Sequence, residues 1–250
     1  MAWLQQDGVM DLFQQQWTTY RAVVERGLME HQAVADATST AIATWLRQRS
    51  PDAQAPRMVD LGCGDLALLA PVFRQLPLAA YTGLDLTAAV LPLAERAMGA
   101  TAYPCRWLEG DLLSWATGDA SCRAADEASM AEPVDLLHSA FAIHHLSDAQ
   151  KATFLEAARQ RMQPGGLFIW VDVFRQPGET REAYLQRYQQ RIRTGWSVIS
   201  AEQREQLISH LSGFDQPADR AAIQAAAEQA GWHWQWGWNG QHRAEAMAVL

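Results

Sequence analysis

Fourteen residues, RMVDLGCGDLALLA from Arg57 to Ala70, constrain this chain more than any other stretch. An apolar run leads into a turn at Gly62 and Gly64, and a helical pattern follows. Residues without a Cβ let backbone approach a ligand, and a helix opening there turns its unpaired N–H groups on that ligand. The same grammar repeats downstream. Apolar runs at Met58–Leu61, Tyr81–Leu84, Cys105–Glu109, Val134–Ser139 and Leu167–Val173 read as strands, with helical spacing over Leu66–Gln75, Ala88–Ala97 and Asp148–Met162. The last of these helices opens on a capping box from Ser147 to Gln150 and stops at Pro164-Gly165-Gly166. Strands alternating with helices imply a parallel sheet covered on both faces.

The flanks break this rhythm. Residues 9 to 49 are helical in character, with Leu12, Phe13, Trp17, Tyr20, Val23 and Val24 at helical spacing. Gly27 interrupts them, a second helix is expected at about Ala33 to Arg49, and Ser50–Pro56 turns into the first strand. Ala116 to Pro133 is a small, polar excursion. Arg175 to Ala230 exceeds one crossover, with helices expected near Glu179–Arg193, from a capping box at Ser200, and over Asp219–Ala230 up to Gly231. Asn239-Gly240 signals a closing hairpin. Trp232, Trp234, Trp236 and Trp238 alternate, which predicts one shared face. The expected organisation is a single domain: a helical cap over 1–55 and a core over 56–250 with an insertion at 175–230.

Composition narrows the partners. The chain of 250 residues carries 20 Lys+Arg against 28 Asp+Glu, a net charge of −8, without a basic stripe. A nucleic-acid backbone is therefore not an expected partner. No apolar run reaches membrane-spanning length and no secretory pattern opens the chain. Cys63, Cys105 and Cys122 are widely spaced, which suits a reducing compartment, the cytoplasm, and not a structural zinc site.

The glycine turn alone does not identify its ligand. GCGDLA fits a dinucleotide fingerprint, with Asp85 about 20 residues on where a ribose-binding acid stands; a purely architectural turn also fits. Later segments add more. TGLDLT puts Asp85 at the end of the second strand, positioned to accept both ribose hydroxyls. EGDLLSW puts Asp111 just past the third strand, positioned to bond an adenine amino group. DLLHSAFAIHHL leaves the fourth strand for paired histidines, and ARQRMQPGGLFIWVD supplies helix, turn and fifth strand. In this order the motifs resemble the class I S-adenosylmethionine-dependent methyltransferases of the small-molecule branch.

That resemblance implies a Rossmann-like, doubly wound α/β fold. Its seven-stranded, mostly parallel sheet would end in an antiparallel C-terminal hairpin, with an N-terminal helical cap and inserted helices. It implies S-adenosyl-L-methionine as cofactor. Asp60, Gly62, Cys63 and Gly64 would line the methionyl turn, Asp85 would bind the ribose, and Leu86 would pack on the adenine. Asp111, with Leu112 beside it, would meet the adenine amino group, and Ser139 and Ala140 would sit near the transferred methyl.

His144 and His145 are the candidates for a general base, since a neutral imidazole suits that role near neutral pH; a structural role in opening the next helix is the alternative. No Asp, Glu or Cys stands at a ligand spacing from them, so no metal is expected. For the acceptor, Tyr184, Tyr188 and Arg191 share one helix face with Arg187 close by, where arginine can grip an anion and tyrosine can box a ring. A packed amphipathic helix explains the same pattern. Trp17, Tyr20, Arg21, Met29 and His31 could close over the cofactor or pack on the sheet. Asp172 and Arg175 fall at the ligand-binding edge of the sheet. The expectation is methyl transfer to a small molecule by a monomer or homodimer. A nicotinamide-dependent oxidoreductase and a non-catalytic cofactor-binding module are the alternatives.

Overall fold

The computed structural model describes residues 18–119 and 133–250. Each expected parallel strand forms: β1 (Arg57–Leu61), β2 (Ala80–Asp85), β3 (Cys105–Glu109), β4 (Val134–Ala140) and β5 (Met162–Arg175). β2 and β3 lie to one side of β1, β4 and β5 to the other, all parallel. Leu136, Leu137, Phe168, Ile169, Trp170 and Val171 are all fully buried, as befits strands with helices on both faces. β7 (Gln235–Asn239) and β8 (Glu245–Val249) complete the order β3-β2-β1-β4-β5-β8-β7, with β8 antiparallel to both of its neighbours. A two-residue β6 (Ala218–Asp219) adds an eighth strand beside the end of β5, too short to announce itself in the sequence.

Two helical layers sandwich the sheet. α1 (His31–Gln48), α2 (Ala70–Phe73) and α3 (Leu91–Met98) share one apolar cluster with Met58, Tyr81, Leu136 and Ile169. α4 (Leu112–Thr117), α5 (Asp148–Arg161) and α8 (Arg220–Gln229) cover the other face around Phe168 and Trp170. α1 is thus a core layer, with Val34 and Ile42 fully buried. The inserted α6 (Arg181–Gly195) and α7 (Ala201–Phe214) build a third cluster on Tyr184, Tyr188, Ile208 and Leu211. Both expected capping boxes form, Ser147 with Gln150 and Ser200 with Gln203, each satisfying two N–H groups that a helix start leaves unpaired.

Three local expectations need correction. The helix expected from Leu66 to Gln75 shrinks to α2, because Leu66 adopts a left-handed φ of 55° and the chain turns until Leu69. The four tryptophans do not share a face. A bulge at Gly237 pairs Trp236 with Ala248 but Trp238 with Met247, one position out of step. Trp232, Trp234 and Trp236 pack on the Trp170 side and Trp238 on the opposite one. The hairpin loop runs from Gly240 to Ala244, longer than a two-residue turn, and closes with Gly240 N donating to Glu245 O at 2.8 Å. The excursion begins inside α4; Trp17, Cys122 and positions 120–132 lie outside the described residues.

Candidate active site

The carboxyl ends of β1 to β4 open into one cavity of about 620 Å³, a size within the roughly 300–1,000 Å³ of small-molecule sites. Its floor is the glycine turn. Gly62 N and Cys63 N both donate to Leu84 O, at 2.7 and 3.0 Å, which pins the turn to β2. Gly62 holds φ 69°, and a Cβ there would lie 2.4 Å from the Ala142 Cβ on the loop after β4. Only glycine lets those two loops approach so closely. Cys63 is buried, and its thiol is pushed well above the usual range by burial and then by Asp60 and Asp85.

The carboxylates arrive in sequence order along the wall. Asp85 ends β2, with Oδ2 accepting from Gly64 N at 2.9 Å and Oδ1 from Thr87 N at 2.8 Å. Burial raises its pKa, and those two amides oppose the rise. Asp111 caps α4, accepting from Ser114 N at 2.7 Å, and lines the cavity beside Leu112. Leu86, exposed at 70%, forms the rim between them. Behind the turn, Asp60 accepts from Tyr81 Oη at 2.9 Å and bonds His138 Nδ1 at 2.6 Å. His138 lines the cavity as well. Its one signal in the sequence is an imidazole inside an apolar strand, which reads equally as a packed core residue.

Ala140 is on the cavity wall, whereas Ser139 is fully buried and its Oγ donates to Leu61 O at 2.8 Å. Tyr20 and His31 reach the cavity from the N-terminal side, Tyr20 with its hydroxyl over Gly64. Met29 packs in the third cluster, and Arg21 pairs with Glu25 at the surface.

The far end of the cavity is lined by His145 and, from the insertion, by His210 and Phe214; His144, expected at the acceptor, is buried behind them and does not line it. His144 is buried, and its Nδ1 meets Asp172 Oδ1 at 2.5 Å while its backbone N donates to Asp172 Oδ2 at 2.9 Å. Burial pulls His144 down, but Asp172 and then Asp215 outweigh it and hold its pKa above the ordinary value. Asp172 is fully buried and also accepts from Trp170 Nε1 and Val173 N, both at 2.9 Å. It therefore fixes the His144 ring and does not line the cavity. His145 does line it, with its pKa pulled to about 4 by burial and by neighbouring His144. Facing both from the end of α7 is Asp215, with Oδ1 at 3.6 Å from His144 Nε2, 3.8 Å from His145 Nδ1 and 3.9 Å from His210 Nε2. Spacing along the chain gave no hint of Asp215 or His210; the packing of the insertion brings them in.

The remaining acceptor candidates sit elsewhere. Tyr184 and Tyr188 stack at 5.5 Å in the third cluster. Tyr188 Oη and Arg191 both bond buried Glu245, at 2.9 and 2.5 Å. Arg187 grips Glu179 with two nitrogens, each at 2.9 Å. Arg175 donates to Pro217 O and Glu179 O, both at 2.7 Å. This face of α6 clamps the insertion to β8, the packed-helix alternative to a ligand box.

Residues 59–168 match a family model described as a methyltransferase domain. A search of curated protein sequences found no match. Among solved structures, a complex of the Haloferax volcanii Trm112 methyltransferase activator with a methyltransferase is similar at TM-score 0.55 and 16% identity, covering 92% of this chain and 91% of that one. Human N-acetylserotonin methyltransferase in complex with S-adenosylmethionine is similar at TM-score 0.53 and 16% identity, over 92% of this chain and 55% of that one. The YcgJ protein of Bacillus subtilis is similar at TM-score 0.51 and 13% identity, over 84% and 96%. This chain therefore spans about half the length of the human enzyme.

Proposed function

We propose that the protein, whose residues 59–168 match a methyltransferase-domain model, is an S-adenosylmethionine-dependent methyltransferase of the class I kind that transfers the methyl group to a small-molecule acceptor by in-line displacement. One observation carries the reading: the ends of four adjacent strands deliver Gly62, Asp85, Asp111 and Ala140 to a single cavity. The residues suit the cofactor, since the turn at Gly62 and Gly64 has no side chain to occupy the approach. Asp60 and the turn would hold the methionyl part, Asp85 the ribose, and Leu86, Asp111 and Leu112 the adenine.

When bound, S-adenosylmethionine supplies an activated methyl group on a good leaving group. The chain's own work is then alignment and exclusion of water, worth several kcal/mol in barrier. Phe141, Ala142 and His145 would wall the acceptor, with Tyr20 closing from the cap. Any proton the acceptor carries would leave at the His144–His145 end, with Asp172 as a positioning residue behind His144. N-acetylserotonin is a small molecule, which makes that neighbour's acceptor class a fitting guide. The net charge of −8 argues against a nucleic-acid acceptor. Among the described residues no helix is long and apolar enough to cross a membrane. Cys63 and Cys105 are free thiols, which suits the reducing cytoplasm.

The test is parallel calorimetric titration with S-adenosylmethionine, its demethylated product and NAD. Micromolar binding of the two sulfur compounds and silence from NAD is the expected result. Binding of NAD alone would replace this reading with the oxidoreductase one.

A further inference from the structure

We propose that His144, His145 and Asp215 form a binding site for one divalent transition-metal ion of the zinc class at the acceptor end of the cavity, with an open position turned towards the cavity beside His210. The inference goes beyond cofactor binding. Only the metal's use in catalysis rests on the methyl-transfer reading.

The donor atoms come first. His144 Nε2, His145 Nδ1 and a carboxylate oxygen of Asp215 all lie within 4.8 Å of one another. A tetrahedral ion with bonds of about 2.0–2.2 Å needs ligand atoms roughly 3.3–3.6 Å apart. The two imidazole nitrogens stand 3.6 and 3.8 Å from Asp215 Oδ1, and with all three donors inside 4.8 Å side-chain shifts of up to about 1 Å bring them to tetrahedral spacing. Two imidazoles and one carboxylate with a position left open is a donor set that catalytic zinc sites use.

The surroundings point the same way. Asp215 Oδ1 is buried and has no hydrogen-bond partner, which is costly for a carboxylate unless a cation meets it. Asp172 holds Nδ1 of His144 at 2.5 Å and so presents Nε2 to the centre. A carboxylate behind a ligating imidazole is the usual outer partner of such a metal. The frame is stitched as well: Gln216 N donates to His144 O at 2.8 Å, and buried Lys151 bridges Leu146 O and Gln216 O. His145 and His210 both line the cavity, so the open position faces where the acceptor would lie. An acceptor with an oxygen donor, a hydroxyl or carboxylate, is the chemistry such a position selects.

The experiment uses full-length, tag-free protein treated with chelator and then titrated with Co(II) alone and Zn(II) alone. One Co(II) per chain with visible absorption of a tetrahedral centre, displaced by Zn(II), is expected. Asp215→Asn and His145→Gln should each weaken binding by more than roughly 100-fold, beyond what losing an outer partner costs. Circular dichroism and S-adenosylmethionine affinity check that each variant is folded. Acetohydroxamate, an oxygen-donor probe, should shift the Co(II) bands. Absence of binding at millimolar Co(II), or equal affinity in folded variants, overturns the site; unshifted bands overturn the open position. If S-adenosylmethionine binds and the metal does not, this inference alone fails. If the metal binds and S-adenosylmethionine does not, the methyl-transfer reading fails instead.

Discussion

Asp60 on β1 and His138 on β4 are register partners, and their side chains meet at 2.6 Å with both residues buried. Because the Asp60 carboxylate only accepts, His138 Nδ1 donates, while Tyr81 Oη donates to the other oxygen at 2.9 Å. Three strands are thereby tied together directly beneath the glycine turn. His138→Phe keeps a ring against Phe73, 5.2 Å away, and should lower stability by about 1–3 kcal/mol through the lost partner. Tyr81→Phe should cost about 0.5–1.5 kcal/mol. Both donors serve one carboxylate, so the double variant should lose more than the sum. Urea unfolding measures all three, and simple additivity would show that Asp60 does not couple them.

Asp85 serves the turn as well as the proposed ribose site. Its oxygens hold Gly64 N and Thr87 N, so Asp85→Ala would remove a ligand contact and also release the turn. S-adenosylmethionine affinity should fall by about 1.5–3 kcal/mol, the worth of hydrogen bonds to a charged group. Asp85→Asn retains one acceptor oxygen and should lose less. Calorimetry gives the ranking, and equal affinity in all three proteins would remove Asp85 from the site.

Gly62 and Gly64 both hold positive φ, yet their surroundings differ. A Cβ on Gly64 meets nothing nearer than Tyr20 Oη at 3.7 Å, whereas on Gly62 it meets Ala142 Cβ at 2.4 Å. Gly64→Ala should therefore cost only conformational strain, about 1 kcal/mol. Gly62→Ala must also displace the loop that carries Ala142, at a further cost of about 1–3 kcal/mol. Thermal unfolding should rank Gly62→Ala well below Gly64→Ala, with cofactor binding lost in the former.

Local signals made much of this legible. Period and turn residues placed β1 to β5, and Ser147 and Ser200 announced their helices through side-chain chemistry confined to one turn. Asp85 and Asp111 were legible because a strand end fixes where the next side chain stands. What failed was set by distant packing. Asp215 lies some 70 residues from the histidines it faces, and the intervening insertion decides the meeting. Trp238 changed sides because Gly237 bulges against Met247 and Val249, whose side-chain ends lie 2.8 and 2.9 Å from where its Cβ would be. Tyr184, Tyr188 and Arg191 had the right spacing for a ligand box, but buried Glu245 on β8 claims both Tyr188 and Arg191.

His31 makes stability depend on pH. It is buried at the start of α1 with Nδ1 unpartnered and its ring edge-on to Phe141 at 5.9 Å. Burial lowers its pKa to about 4 from the ordinary 6.5. The unfolded chain therefore takes up the proton first as pH falls. The contribution of neutral His31 is complete above about pH 6.5 and declines as pH drops through 6.5 towards 4, by roughly 3–4 kcal/mol in total. His31→Gln removes this titration. Its unfolding free energy should fall less than the parent's between pH 7 and pH 4.5, even if it starts lower at pH 7. Parallel slopes in the two proteins would mean that His31 takes up its proton in the folded state.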